Sequence, residues 1–204
     1  MRLPLAACAL AIACAGTASA EPRNLSGFTR IDASAGNEVT VTVGPNYSVD
    51  VSGPGADQVV TRISGQTLVI ERPHGFHWGP RRPSHVTVIM PRVEGLTASS
   101  GADVTATGVE ASNIALDSSS GADLRVSGRC QSFSADASSG ADIYAQDLRC
   151  ESGSVDASSG ADARVFASGR LNVDASSGGG VIAYGNPGIG NIDLSSGGTL
   201  RRAD

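Results

Sequence analysis

Aspartates that recur at a fixed spacing are the residues of this sequence best placed to do chemistry. Each member of one set ends a Ser-Ser-Gly-Ala-Asp motif: Asp103, Asp123, Asp142 and Asp162. A second set lies on the other side of the same motif: Asp117, Asp136, Asp156, Asp174 and Asp193. If each set forms a column, like charges about 5 Å apart repel one another, and bound calcium would relieve the repulsion. We favour the alternative that water screens the charges and the Asp side chains cap turn amides, so we expect no metal and no cofactor.

Two cysteines have the spacing of a cross-link between repeats. Cys130 and Cys150 lie 9 and 10 residues after the glycine of a Ser-Ser-Gly motif. In adjacent turns of a stack, their Cα atoms would fall in the usual disulfide range of about 4.4–6.8 Å. We predict a disulfide between them, with two reduced cysteines as the alternative. The paired CxxC motifs typical of zinc sites are absent from the sequence.

Residues 73–83 concentrate the residue types that anchor ligands. This segment contains the only tryptophan, Trp78, with His74, His77 and the pair Arg81-Arg82. Its proline and glycine content predicts a loop. Trp78 is therefore a candidate ligand contact, beside the four motif aspartates, because Trp and Arg are common anchors. We favour the interpretation that this loop is a connecting hairpin tip or a flap over the N-terminal coils. A catalytic Ser-His-Asp set is not indicated, because the sequence lacks a G-x-S-x-G nucleophile motif flanked by a strand and a helix.

Only regular stacked elements would hold these residues in columns, and the sequence contains a repeat that predicts such elements. Ser-Ser-Gly occurs six times, with glycines at 101, 121, 140, 160, 178 and 197. Helical repeats need about 33 residues, whereas segments such as 122–126 alternate apolar and polar residues as strands do. About 19 residues at 3.3 Å each close a circuit of roughly 60 Å. The repeat predicts an all-β parallel β-helix, or solenoid, in which the glycine allows a corner with positive φ and the serines bond back to the turn backbone.

The predicted coils align aliphatic residues into inward columns. One column contains Val104, Leu124, Ile143, Ala163 and Val181. A column on the other strand of each coil contains Leu116, Ala135, Val155, Val173 and Ile192. Residues 21–204 are predicted to form a single domain, less regular over 27–95 and regular over 96–200. Residues 21–28 and 200–204 are the candidate end caps.

Four segments of the irregular part carry a resemblance to a known family. They are Ser26-Gly27-Phe28-Thr29-Arg30-Ile31-Asp32-Ala33-Ser34, Val39-Thr40-Val41-Thr42-Val43, Gly65-Gln66-Thr67-Leu68-Val69-Ile70 and Val86-Thr87-Val88-Ile89-Met90-Pro91. With the Ser-Ser-Gly-Ala-Asp coils that follow, residues from about 25 to 200 resemble the putative auto-transporter adhesin, head GIN domain family of bacterial envelope proteins. The resemblance implies a right-handed parallel β-helix and supplies no catalytic residues.

The N-terminus indicates export. Met1-Arg2 precedes an apolar stretch, residues 3–15, and Ala18-Ser19-Ala20 forms an A-x-A cleavage site. We predict a signal peptide over residues 1–20 that is cleaved after Ala20, with lipidation at Cys8 or Cys14 as the alternative. The apolar stretch is too short for a transmembrane span. The expected location is the periplasm or the cell surface of a Gram-negative bacterium.

Charge and composition narrow the function. The net charge is −5 and there is no lysine, so nucleic acid is a poor partner for this chain. We predict a non-catalytic structural or adhesin-like module that binds an envelope glycan or protein. The alternative is a carbohydrate-active enzyme, a polysaccharide lyase or hydrolase, because β-helices host such enzymes. Those enzymes need carboxylate pairs around an irregular cleft.

Overall fold

The computed structural model describes residues 20–73 and 82–203. Nearly all of this part is β-structure, with one three-residue 3-10 helix at Ala56–Gln58. The strands are β1 (Glu21–Pro22), β2 (Arg30–Ala33), β3 (Glu38–Val43), β4 (Ser48–Ser52), β5 (Val60–Ser64), β6 (Thr67–Glu71), β7 (His85–Met90), β8 (Gly95–Ala98), β9 (Asp103–Ser119), β10 (Asp123–Ser138), β11 (Asp142–Ala157), β12 (Asp162–Ala175), β13 (Gly180–Tyr184), β14 (Gly188–Leu194) and β15 (Thr199–Arg202). No helix in the described ranges is long and apolar enough to cross a membrane.

The repeat folds as a parallel solenoid of about five turns, which confirms the predicted fold class. Each of β9 to β12 runs through most of one coil and pairs in parallel with its neighbours. Strands that follow a Ser-Ser-Gly corner form one sheet, here the front face. Strands that precede a corner form the back face. Equivalent residues pair directly, as in Leu124 with Ile143 on the front and Ala135 with Val155 on the back.

Small aliphatic side chains fill the space between the two faces. The predicted front column is fully buried, and the predicted back column is buried except for Ile192, which is 52% exposed. Phe133 is the large residue of the central coils, and its ring lies where a side chain on Gly153 would stand. The absence of a Cβ at position 153 therefore makes room for an aromatic ring in a narrow core.

The N-terminal part departs from a simple stack. The coil formed by β2 and β3 lies between the coil of β6 and β7 and the coil of β8 and β9, out of chain order. On the outer side of this end, β4 pairs antiparallel with β7 and β5 pairs antiparallel with β6. Strand β1 pairs antiparallel with β4. The predicted N-terminal cap over residues 21–28 was thus only part of the cap, since β4 and β5 supply most of it. In the predicted C-terminal cap, residues 200–202 belong to β15, which pairs in parallel with β13 as the last strand of the front face in the described range.

Candidate functional site: the corner ridge and its aspartate columns

The Ser-Ser-Gly corners share one backbone geometry. The second serine of each corner has φ between 47° and 56°, and the glycine after it has φ between 67° and 84°. In one corner the Ala141 N–H donates to the Ser138 carbonyl at 3.2 Å, closing a four-residue turn. Two successive left-handed residues are the signature of a type I′ turn. Sequence reasoning expected a positive φ only at the glycine and missed the serine, which rarely adopts this conformation.

A hydrogen-bond ladder joins the corners of adjacent coils. The N–H of each corner glycine except the last, Gly197, donates to the carbonyl of the second serine in the next coil, as from Gly140 to Ser159 and from Gly160 to Ser177, both at 3.1 Å. We call the aligned corners at 99–101, 119–121, 138–140, 158–160, 176–178 and 195–197 the corner ridge. The second serines are exposed.

The hydroxyls of the corner ridge are not used for folding. In the parts of the chain that the structure describes, no corner serine donates a side-chain hydrogen bond to the protein. The predicted bonds from these hydroxyls back to the turn were therefore wrong. Backbone carbonyls accept from the N–H groups of the corner glycine and the residue after it instead, as at Gly140 and Ala141. The hydroxyls of the exposed second serines can donate to and accept from a ligand.

Aspartates flank the corner ridge on both faces in the predicted register. On the front face, Asp103 pairs with Asp123, Asp123 with Asp142, and Asp142 with Asp162. The back column aligns in the same way and contains Asp117, Asp136, Asp156, Asp174 and Asp193. Each corner except the first and the last two therefore has one carboxylate on either side.

On the front face, arginine and tyrosine offset the crowded carboxylates. Arg125 contacts Asp123 at 3.0 Å and Asp103 at 3.9 Å. The Tyr144 hydroxyl donates to Asp142 at 3.0 Å, and its ring lies between two guanidinium groups, those of Arg125 and Arg164. Burial, and secondarily Asp123, nevertheless raises the pKa of Asp103.

On the back face, no salt bridge joins a carboxylate of the column to an arginine among the described residues. Burial raises the pKa of Asp117, although Arg30 and Thr97 oppose the rise. Burial also raises the pKa of Asp136, and the neighbouring carboxylates of Asp117 and Asp156 raise it further. A shallow groove of about 730 Å³ runs along this column, lined also by Ser154, Asn172 and Asn191. Carboxylate, amide and hydroxyl groups in this groove can together bind a polyhydroxylated ligand.

Neither column forms an ion site among the described residues, where no three His, Cys, Asp or Glu side chains are grouped to hold a metal. Calcium needs six to eight oxygen ligands at about 2.3–2.6 Å. One carboxylate per coil, repeated about every 4.8 Å, spreads the oxygens along a line. The calcium alternative therefore gains no support from this geometry.

Cys130 and Cys150 form the predicted disulfide. They are register partners in β10 and β11, and their Cα atoms are 4.5 Å apart. The bond lies on the far edge of the solenoid, opposite the corner ridge, among Arg129, Arg149 and Phe166. Because it joins β10 to β11, the disulfide cross-links two adjacent coils, and it lies away from the aspartate columns.

Trp78, His74, His77 and Arg81 lie outside the described residues, so Trp78 stays a prediction. The two ends of this loop are described. Arg72 donates to the Ser84 hydroxyl at 2.7 Å, and Ser84 donates to the Asn37 Oδ1 at 2.9 Å. Since β6 pairs with β2 and β7 with β3, these two described ends lie on the edge of the corner ridge.

Sequence reasoning missed this hydrogen-bonded cluster of Asn37, Ser84 and Arg72. Asn37 and Ser84 are 0% and 4% exposed. One signal was available, because Asn37 follows a corner glycine at the position where the other copies have alanine or glycine. A polar residue at a buried repeat position needs a partner, and Arg72 and Ser84 supply it.

Ala20, the predicted cleavage residue, is exposed immediately before β1. Residues 1–19, with Cys8 and Cys14, lie outside the described part of the chain. The predicted signal peptide and the lipidation alternative therefore stay predictions.

Comparison with known proteins identifies one family and several similar structures. The family model described as "Putative auto-transporter adhesin, head GIN domain" matches residues 27–187. No curated protein matches the chain. A putative adhesin from Bacteroides fragilis is similar in structure, with a TM-score of 0.73 and 14% identity over 92% of this chain and 97% of that one.

Two structures from Parabacteroides distasonis are similar at lower scores. One is a putative adhesin with a TM-score of 0.59 and 12% identity, over 93% of this chain and 98% of that one. The other is a putative lipid binding protein with a TM-score of 0.52 and 15% identity, over the same shares. At these identities the likeness extends to the fold alone.

Proposed function

Because the chain belongs to the putative auto-transporter adhesin, head GIN domain family, we propose that it is an exported, non-catalytic module that binds an envelope ligand. The binding surface is the corner ridge with its two aspartate columns. The observation that carries the proposal is the register of these polar groups, which repeats the same exposed Ser and Asp side chains in successive coils.

An extended glycan is the ligand class that this surface favours. Carboxylates and amides form several hydrogen bonds with neighbouring hydroxyl groups, and serine hydroxyls both donate and accept. The back groove presents Asp156, Asn172 and Asp174 side by side. A polymer with repeating hydroxyls would meet equivalent groups in each coil, whereas a discrete small ligand would use one coil only.

Export fits the chemistry of the chain. A signal peptide over residues 1–20 would deliver the protein to an oxidising compartment, where disulfides such as Cys130–Cys150 form and persist. The periplasm and the cell surface both meet this condition. Mass spectrometry of the processed protein tests the cleavage after Ala20 and the lipidation alternative.

A glycan and envelope-component array tests the binding role. The ridge variant Asp136→Ala/Asp156→Ala/Asp174→Ala should lose signal on every ligand that the wild type binds. The matched control, Glu110→Ala/Arg129→Ala/Glu151→Ala on the far edge, should keep it. Binding that the control abolishes and the ridge variant retains would contradict the proposal.

The same ligands separate binding from catalysis. The enzyme alternative predicts new reducing ends or unsaturated products when the protein is incubated with uronate polymers. The proposal predicts that bound glycan is recovered at its original length. Shortened glycan, produced by the wild type and not by a heat-denatured sample, would favour the enzyme.

A further inference from the structure

The two ends of the solenoid are unlike. At the N-terminal end, inward residues of the cap are covered, with Val49, Val51 and Val59 at most 4% exposed. At the C-terminal end, Ile192 and Leu194 are 52% and 44% exposed. Both belong to inward columns, because Ile192 pairs with Val173 and Leu194 with Ala175. The apolar exposure is larger here than at the N-terminal end, where Val60 and Ile63 of β5 are 39% and 36% exposed.

Strand edges accompany this exposed core. In the described ranges, β14 pairs only with β12, and β15 pairs only with β13. Each strand therefore presents one free row of N–H and C=O groups. Repeat proteins need polar caps over such ends, and unpaired edges are templates for strand pairing.

The two free edges complement each other in shape and direction. The chain reaches β15 after β14, so β15 on the front face lies further along the axis than β14 on the back face. Strands on the two faces run in opposite directions. A two-fold axis parallel to the strands therefore sets the projecting β15 of one copy against the recessed β14 of the other, in antiparallel pairing on both faces.

Charge favours the same arrangement. The only charged residue of β14 is Asp193, and β15 carries Arg201 and Arg202. Asp193 and Arg201 belong to outward columns of their faces, in register with Asp174 and Ile182. Pairing β15 with the second copy's β14 brings opposite charges together. Pairing β15 with another β15 would bring arginines together and leave the recessed β14 edges apart.

We propose that a second copy of this chain docks on the C-terminal end and forms a closed two-fold dimer through β14 and β15. Leu200, Ile192 and Leu194 then continue the core across the interface. The two-fold keeps both corner ridges on one edge, so the dimer doubles the length of the polar surface. The interface is closed, because the two-fold axis uses the β14 and β15 edges of both copies.

Sedimentation velocity on the full chain tests the dimer. The wild type should sediment as a dimer at micromolar concentrations. Asp193→Arg and Arg201→Asp should each weaken the dimer by about tenfold or more, since each sets like charges against one another. The double variant Asp193→Arg/Arg201→Asp should restore dimerisation, because it swaps the pair. Circular dichroism should show that all three variants keep the wild-type fold.

One control variant and three contrary outcomes complete the test of the dimer. Arg164→Asp, on the same front face two coils away from the end, should leave the dimer intact. A wild type that stays monomeric up to millimolar concentration would overturn the proposal. Species that grow beyond a dimer with concentration, or a double variant that stays as weak as the singles, would overturn it as well.

Discussion

The second serine of each corner has a left-handed backbone conformation that side chains oppose, and the structure repeats it six times. The gain is a two-residue turn that closes each coil and points the hydroxyl outward. The residue after this serine is also left-handed, and it is glycine because any side chain there would add a second conformational cost. The Ser-Ser-Gly motif is thus both a backbone device and the source of the exposed hydroxyls of the corner ridge.

Gly140→Ala tests the backbone part of this account. A Cβ at this position meets nothing within 4 Å, while φ is +69°. The cost should therefore be conformational alone, about 1 kcal/mol of unfolding free energy. Urea unfolding measures it, with Ser138→Ala in the same corner as a control that changes stability little. A Gly140→Ala variant as stable as the wild type would contradict the assigned turn.

The pH dependence of stability tests the back aspartate column. Burial, with Asp117 and Asp156, raises the pKa of Asp136. A carboxyl with a raised folded pKa binds its proton more tightly when folded, so its ionisation destabilises the fold above that pKa. Lowering the pH from neutral through the folded pKa should relieve this penalty. Below the unfolded pKa the gain should stop growing.

Asp136→Asn should remove this contribution. The variant should melt at a higher temperature than the wild type at neutral pH, and the difference should shrink as the pH falls through the folded pKa. Thermal unfolding followed across the pH range measures it. Ser134→Ala, on the same face, controls for the loss of a polar side chain. A variant that is less stable than the wild type at neutral pH would show that Asp136 has a stabilising partner.

At the scale of elements, the coils are held by parallel pairing and by one covalent clip. Cys130 and Cys150 join β10 to β11, where the neighbouring residues of the same column are Ala111 and Ala167. The clip closes a segment with a sequence separation of 20 residues. It therefore restricts the unfolded chain more than it adds contacts to the folded one.

The double variant Cys130→Ala/Cys150→Ala places alanine where the neighbouring coils already have alanine. It should cost about 3 kcal/mol of unfolding free energy by the loop-closure estimate. Urea unfolding of the variant and of the wild type, each with and without reductant, measures it. Reduced wild type should match the variant, and reductant should not affect the variant. Equal stability of oxidised wild type and variant would mean that the coils need no clip.

The regular coils could be predicted because each repeat fixes its own register. The alternation of apolar and polar residues at one period decides which side chains face inward and which neighbours they meet. The N-terminal part lacks this constraint. Strands such as β4 and β7 alternate in the same way, so their pattern does not reveal that they pair antiparallel, or that β2 lies between β6 and β8.

The candidate site also contains parts that the repeat period predicts and parts that it does not. The aspartate columns followed from the period, whereas the Arg125–Tyr144–Arg164 stack did not, because it depends on which side chains share an outward column in adjacent coils. The Asn37–Ser84–Arg72 anchor joins residues far apart in sequence. The one indication in the sequence was Asn37, which follows a corner glycine where the other repeats have alanine or glycine.

At the scale of the whole molecule, the corner ridge forms one edge of the protein and the disulfide lies on the opposite edge. The most exposed large apolar side chains lie at the C-terminal end. Six corners at about 4.8 Å spacing give the corner ridge a length of about 24 Å. A ligand that follows the ridge gains equivalent contacts in each coil. Affinity should therefore depend on ligand length, which distinguishes a columnar surface from a pocket.

Calorimetric titration with a length series of oligosaccharides, cut from a glycan that the array identifies, tests this claim most directly. The affinity should rise with each added unit until the ligand spans the corner ridge. The Asp136→Ala/Asp156→Ala/Asp174→Ala variant should lose this rise, while the far-edge control keeps it. An affinity that stays constant beyond the shortest bound fragment, or a rise that the ridge variant retains in full, would contradict the account.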